Sequence, residues 1–537
     1  MRTLILAVYM LTFSAISINV LAQAEKPKLV VGIIVDQMRQ EYLYRFQDRY
    51  SEDGFNRLMS EGFMFKNAHF NYVPTYTGPG HASVYTGTTP AYHGIIANDW
   101  YQRAAREMVY CAADPAYNTV GTKSDLGKMS PHRLLATTIT DELKLSTQQK
   151  AIVLGMSIKD RGAVFPAGHL GEAFWYDKKF GDFITSDFYM DKLPGWVESF
   201  NKKKHADKYL SKKWETLYKI NTYSASGDDD QRFESTPLKD QPVFPYSLKK
   251  GAYDQIPYTP YGNDILADFA LHAIKSTDIG KDDVTDMLAV SFSSTDYIGH
   301  GFGPDSKEVE DTYLRLDRNI ADILKALDDK VGKGNYTVFL TADHAVAHVP
   351  QFLIDNRVAS GYFKMNQMDS LNDQIAARFG KGEYLLSAYN NQVFLNRELI
   401  KKNGLSLSEV QQHVADLLMG MDGIARAYPA SVINAIPYGA EGVKGLLARG
   451  YNQKRSGDVL VAFEPGWIVE NHGGTTHGSA YTYDTHVPVV WYGAQVPQGE
   501  SVRRCSITDI APTLSMMLDI TLPNGATGEP LRELFAE

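Results

Sequence analysis

The sequence predicts an α/β fold, a doubly wound and mostly parallel sheet with helices on both faces. Three observations carry that prediction. Short apolar runs rich in β-branched residues, LVVGIIV (29–35), AIVLGMSI (151–158), MLAVSFSST (287–295) and YTVFLTA (336–342), read as strands buried on both faces. Segments with helical spacing separate them, which gives a β-α-β alternation. Three of the runs lead into carboxylates: Asp36, Asp296 and Asp343, the last followed by His344. Ligands of an open parallel sheet bind outside the carboxyl ends of its strands, so these side chains converge on one crevice.

The elements follow in chain order. Residues 1–22 read as a signal peptide: Arg2, an apolar stretch from Leu4, then Ala22 and Ala24 in an A-x-A pattern, with the charged KPK directly after. No later run approaches the ~20 apolar residues of a spanning helix. Export to the periplasm or the medium, without stable membrane insertion, is expected. Residues 42–62 show helical spacing closed by Gly62, and FKNAHFNYV (65–73) reads as extended. A helix opens near Pro79 and runs through HASVYTG. From about Gly171 to Tyr261 no clean strand run is visible, and this Tyr-, Lys- and Pro-rich stretch reads as a cap inserted beside the active edge. The pattern resumes with a helix at NDILADFALHAI (263–274), the 287 strand, an amphipathic helix at 307–329 and the 336 strand. A second insertion spans about 349–467, and the core returns with HVPVVWYGA (486–494) and the helical ITDIAPTLSMML (507–518). One domain therefore covers 25–537.

Composition narrows the function. A net charge of −9 and a pI near 5.9 exclude a nucleic-acid-coating surface. With only Cys111 and Cys505 there is neither a disulfide framework nor a cysteine-rich zinc site, so a metal must rest on Asp and His. Asp36, Asp296, His300, Asp343, His344 and His477 supply three carboxylates and three imidazoles, enough for two divalent ions. The mixture favours two Zn²⁺ per chain over Mg²⁺. Asp296 and His300 form D-x-x-x-H after a strand, where a short turn aims both at one ion. His477 lies in G-G-T-T-H-G-S; His472, in N-H-G-G, is its competitor. His81 and His93 read as residues that orient their loops.

V-P-T-Y-T-G-P-G-H-A (73–82) places Thr77 at the start of a helix, where backbone N–H groups and the helix dipole favour an anion such as phosphate. A neighbouring Zn²⁺ would make its hydroxyl a nucleophile; Thr75, outside the Gly-Pro turn, is the rival. In S-I-K-D-R, alternation puts Lys159 and Arg161 on one side of an extended backbone. A phosphate monoester bears about two charges near neutral pH, so two extra cations suit it better than a diester.

With these motifs in this order, the chain resembles the alkaline phosphatase superfamily, and within it the secreted zinc phosphomonoesterases with a Thr nucleophile (PafA-type). The resemblance covers nearly all of the mature chain. It implies an alkaline-phosphatase-like fold. It also implies that Asp36, Asp343 and His344 hold the zinc that activates the nucleophile Thr77, and that Asp296, His300 and His477 hold the other. Asn98, in H-G-I-I-A-N-D-W, would contact a phosphoryl oxygen, and the matching Lys159/Arg161 pair is what diesterase relatives lack. The expected activity is hydrolysis of small phosphate monoesters with broad specificity through a phosphothreonine, inorganic phosphate being the product and a monomer the favoured state. The alternatives are a phosphodiesterase or nucleotide pyrophosphatase of the same superfamily, and a non-catalytic phospho-ligand-binding relative. A sulfatase fits less well, because its motif begins with Cys or Ser and carries Arg where His81 stands.

Overall fold

A computed structural model describes residues 25–238, 241–469 and 473–535. The expected signal peptide and His472 lie outside them. Among the described residues one mixed sheet contains ten strands. In chain order these are β1 (Leu29–Val35), β2 (Phe63–Phe65), β3 (Thr119–Val120), β4 (Val153–Ser157), β5 (Glu172–Asp177), β6 (Asp182–Ser186), β7 (Asp286–Phe292), β8 (Tyr336–Thr341), β9 (Val489–Gly493) and β10 (Gly499–Ser501). Across the sheet the order is β10-β2-β9-β8-β1-β7-β4-β5-β6-β3. The five strands β8, β1, β7, β4 and β5 are mutually parallel, and β9 joins β8 antiparallel. Every residue of β1, β4, β7 and β8 is buried, and a fully buried Val, Leu or Ile contributes about 1.5–3 kcal/mol. This explains why the runs are apolar without alternation: both faces are covered.

The helices Thr77–Thr86, Asp160–Ala167, Tyr261–Ser276, Ser294–Phe302 and Lys307–Lys330 pack around this sheet. The longest buries Val309, Leu316, Ile320, Ile323 and Leu327 along one face, the stripe expected of an amphipathic helix against a core.

Three expectations change. Residues 42–62 are not one helix but the short turns Tyr42–Arg45 and Gln47–Arg49, then a helix at Phe55–Glu61. The break is set by Asp317, whose carboxylate accepts the Ser51 amide at 2.7 Å and the Phe55 amide at 2.8 Å. A Cβ on Gly54 would lie 2.1 Å from that carboxylate. The boundary of the first insertion also moves, because residues 172–186 supply the hairpin β5–β6 to the main sheet. Its charged turn, DKKFGD, hid two strands whose Phe174, Trp175, Phe183 and Ile184 are buried. The remainder of that stretch is tied to the long helix by Asp311, which accepts Trp214 Nε1 at 2.8 Å and the Leu217 amide at 2.6 Å. Finally, Arg161 is not on an extended backbone with Lys159. Lys159 is the last extended residue and Arg161 lies in the first turn of a helix.

The second insertion carries a four-stranded antiparallel sheet, made of Leu385–Tyr389, Gln392–Leu395, Val459–Phe463 and Ile424–Pro429 in that order. It has its own core around Leu371, Val393, Val414 and Leu418. The amphipathic SLSEVQQHVADLLMG forms a helix over Leu407–Met419. Cys111 and Cys505 are both buried and unpaired with each other.

Candidate metal centre

Four parallel strands end beside one another at the crevice, and each is followed by a residue singled out from the sequence. Asp36 directly follows β1, and its amide donates to Phe292 O at the end of β7. Asp343 and His344 follow β8. Lys159 follows β4. After β7 the chain does not turn loosely: Asp296 and His300 stand one helical turn apart on Ser294–Phe302, so the expected short turn is a helix. The i, i+4 spacing puts both on one face, and His300 Nε2 lies 3.2 Å from Asp296 Oδ1. The Gly-rich loop then brings His477 in until its ring stacks on His344, centroids 3.5 Å apart.

Five of the six residues form two groups that share His344. Asp36, Asp343 and His344 present ligand atoms within 4.8 Å of one another, and so do Asp296, His344 and His477. His300 is connected to the second group through Asp296. Each imidazole has its Nδ1 on a backbone carbonyl: His300 on Thr475 O at 2.7 Å, His344 on Ala345 O at 3.0 Å, His477 on Thr75 O at 2.6 Å. For His344 and His477 that bond fixes the tautomer and leaves Nε2 as the donor of electrons, the arrangement of metal-binding histidines, whereas His300 Nε2 faces Asp296 Oδ1.

The electrostatics call for cations. Burial, then the neighbouring Asp296 and Asp343, push the Asp36 carboxyl well above its usual range. Burial also pushes Asp343 up to about 6. Asp36 Oδ1 and Asp343 Oδ2 are buried without a hydrogen bond, an arrangement costly for carboxylates unless a positive charge is present. Burial lowers His344 to about 3 and holds His477 well below its usual value, so both are neutral as metal ligands must be. Burial opposes the charged form of Asp296 too, but His300 and Lys159 outweigh it and hold that carboxyl low; reciprocally, Asp296 raises His300 to about 8. With oxygen and nitrogen donors only, the set fits first-row divalent ions of the zinc type.

Lys159 already supplies one charge. Its Nζ donates to Asp36 Oδ2 at 2.7 Å and to Asp296 Oδ2 at 2.5 Å, one carboxylate from each group. Gln37, which the sequence reading missed, works beside it. Its Nε2 donates to Asp296 Oδ1 at 2.7 Å and its amide to Asp343 Oδ1 at 3.2 Å. The only sequence signal was its place next to Asp36, at a strand end where the backbone turns to φ 66°.

Thr77 is the first residue of its helix, as expected, with Pro79 in the first turn. Its Oγ1 lies 3.5 Å from His344 Nε2 and 3.4 Å from Arg161 Nη2. The rival Thr75 Oγ1 is buried without a partner. Asn98 Oδ1 accepts the Gly78 amide at 2.8 Å, so its NH₂ group is not used in that bond. His81 links the helix to β7, with Nδ1 on Thr77 O at 2.9 Å and Nε2 on Ser291 Oγ at 2.7 Å. Arg161 is anchored by Tyr110, whose hydroxyl accepts from Nη1 at 3.0 Å and donates to Asp160 at 2.5 Å. Tyr110 was not singled out from the sequence.

The chain's relatives match it over nearly its full length. The Type I phosphodiesterase / nucleotide pyrophosphatase family matches residues 30–488. A Myroides odoratus protein named a calcium-transporting ATPase is 45% identical, with 98% of each chain covered. Alkaline phosphatase PafA of Elizabethkingia meningoseptica is 42% identical, with 95% of each covered. The crystal structure of wild-type PafA superposes with a TM-score of 0.91 at 41% identity, over 95% of this chain and 99% of that one. The chain therefore belongs to the type I phosphodiesterase / nucleotide pyrophosphatase family, within the alkaline phosphatase superfamily.

Proposed function

We propose that this chain is a zinc-dependent alkaline phosphatase, which hydrolyses phosphate monoesters through a phosphothreonine on Thr77. The observation that carries the reading is the union, in one crevice, of two Asp/His groups with a helix-start threonine and two cations. Full-length similarity to PafA supports it.

Asp36, Asp343 and His344 would hold one zinc, and Asp296, His300 and His477 the other. When bound, two such ions neutralise the carboxylates, acidify a hydroxyl and a water, and stabilise oxygens that gain charge. The chain's own groups do the rest. At the helix start the Gly78 amide is bonded to Asn98 and the Gly80 amide to Tyr76 O, so the start at Thr77 favours the phosphoryl group mainly through the helix dipole. Arg161, already 3.4 Å from Thr77 Oγ1, engages phosphoryl oxygens with its planar fork. Asn98 donates through the amide group that Gly78 leaves free. Lys159 neutralises Asp36 and Asp296 and adds positive charge beside the incoming dianion. Together these preorganised donors favour the charge distribution of transfer to Thr77 Oγ1 and then to water. Product inorganic phosphate occupies the same donors.

Export after removal of residues 1–22, a single domain with caps at the crevice, and a monomeric state complete the proposal. Among the described residues no helix is long and apolar enough to cross a membrane. ATP cleavage, named for the Myroides relative, also moves a terminal phosphoryl group to water.

The diesterase reading draws on the family match alone. Rates on 4-nitrophenyl phosphate and its methyl diester decide between the two. A preference for the monoester of about a hundredfold or more is expected, because the diester lacks the second charge, and losing a charge-assisted contact costs about 3 kcal/mol. A preference for the diester overturns the reading.

A further inference from the structure

A cavity of about 330 Å³ opens beside the metal-ligand cluster, and the chemistry described so far does not use it. Its near wall is Tyr76, next to Thr77, together with the His477–Gly478 turn. The Tyr76 ring stands edge-on to the His477 ring, centroids 5.5 Å apart. Its far wall includes Leu460 and Phe463 of the inserted antiparallel sheet and Trp467, which pairs with Gly361 beside it. The cavity is thus a seam between the catalytic edge and the second insertion.

Three of the polar side chains that line the seam are engaged by backbone groups, while Asp484, which also lines it, keeps one buried carboxylate oxygen without a hydrogen bond. Asn390 Nδ2 donates to Asp99 O at 2.7 Å, Asn391 Nδ2 to Gly478 O at 3.4 Å, and Gln392 Oε1 accepts the Gly457 amide at 2.7 Å. They hold the walls together, and the interior that remains is mostly apolar and aromatic. Volume and lining match those of sites for small organic groups. His477 belongs both to this wall and to the second Asp/His group. In the proposed in-line transfer the ester oxygen departs opposite Thr77, and of that group His477, rather than His344 at 3.5 Å from Thr77 Oγ1, is the member that borders the seam. An organic group on that oxygen is directed along His477 and Tyr76 into the seam.

We propose that this cavity receives the apolar part of the leaving alcohol, so that aryl and medium-chain alkyl phosphates are preferred over polar monoesters of the same alcohol basicity. The proposal rests on the phosphomonoesterase reading. The phosphate grip, made of the helix start at Thr77, Asn98, Arg161 and Lys159, gives breadth; the seam then grades substrates by hydrophobicity.

Two series on the zinc-loaded full chain test this. The first is kcat/KM for n-alkyl phosphates from ethyl to octyl, with glycerol phosphate as the polar comparator. The second is inhibition by the corresponding alkylphosphonates, which bind without being hydrolysed. The expected result is a rise of up to about fourfold per added methylene until the seam is full, in step with tighter phosphonate inhibition. Glycerol phosphate should fall below butyl phosphate. Ala462→Phe, which places a ring in the wall, should flatten both gradients, and its melting temperature shows whether it has folded. Ala388→Phe serves if it has not. Flat gradients in the wild-type chain, or gradients unchanged in a folded filled variant, overturn the cavity assignment alone. Absence of turnover on every ester, 4-nitrophenyl phosphate included, overturns the reading beneath it and the assignment with it.

Discussion

Arg161 reaches Thr77 because Tyr110 holds its other end, and Tyr110 is held in turn by Asp160. A guanidinium free to swing would pay an ordering cost each time it engaged phosphate. Tyr110→Phe should therefore lower kcat/KM on monoesters by about tenfold, the size of one lost hydrogen bond to a charged group. In an Arg161→Ala background the same change should have little effect, and a double-mutant cycle measures this directly. Asp484 carries a second residue-scale prediction. Its Oδ2 accepts the Ser479 amide at 2.6 Å, its Oδ1 has no hydrogen bond, and burial pushes the carboxyl up to about 7. A raised folded-state value means the protonated form is favoured. Its stabilising contribution is full below the unfolded value near 4 and is lost as pH rises through about 7. Asp484→Asn, neutral at every pH, should be more stable than wild type at pH 8 by on the order of 1–3 kcal/mol, with the gap closing near pH 4. A gap independent of pH in thermal melts would contradict this. Asp36, Asp343, His344 and Thr77 were legible in the sequence because they stand at strand ends or a helix start that local pattern defines, and Asp296, His300 and His477 because of their spacing and Gly-rich setting. Gln37 and Tyr110 were not, since their roles come from partners more than fifty residues away: Gln37 bonds Asp296 and Tyr110 bonds Arg161.

At the scale of elements, the helix start at Thr77 is pressed against the end of β8. A Cβ on Gly80 would lie 2.2 Å from Asp343 O, so only glycine lets the helix approach this closely. Gly80→Ala should displace Thr77 from Asp343 and His344 and lower activity by two orders of magnitude or more, since about an ångström of misplacement costs roughly a hundredfold. Stability should fall by about 1–3 kcal/mol, the usual cost of forced overpacking. Full activity in a folded Gly80→Ala protein would show that the close approach is dispensable. The parallel strands could be read from sequence because burial on both faces leaves unbroken apolar runs. The β5–β6 hairpin could not, because its polar turn interrupts the pattern and its place in the sheet depends on pairing with β4. The Ser294–Phe302 helix escaped for a similar reason: its nine residues are too short for a clear period, and its start is fixed by Asn263 Oδ1 accepting the Ser294 amide at 3.1 Å.

For the whole molecule, the main sheet fixes the metal-ligand edge while the second insertion, with its separate core, closes over it. Charge balance explains why these parts meet where they do. Three buried carboxylates face Lys159 and a His300 that Asp296 favours in its charged form, while His344 and His477 are neutral; in the proposed site divalent ions and then Arg161 would complete the balance around a dianionic substrate. The order of ligands along the chain, spread from Asp36 to His477, makes the site a property of the complete fold. The most direct test is to quench zinc-loaded protein in acid during turnover of 4-nitrophenyl phosphate and to map phosphorylation by mass spectrometry. Phosphate on Thr77, absent from an inactive Thr77→Ala protein, is the predicted result. Phosphate on another residue, or full activity in Thr77→Ala, would contradict the account.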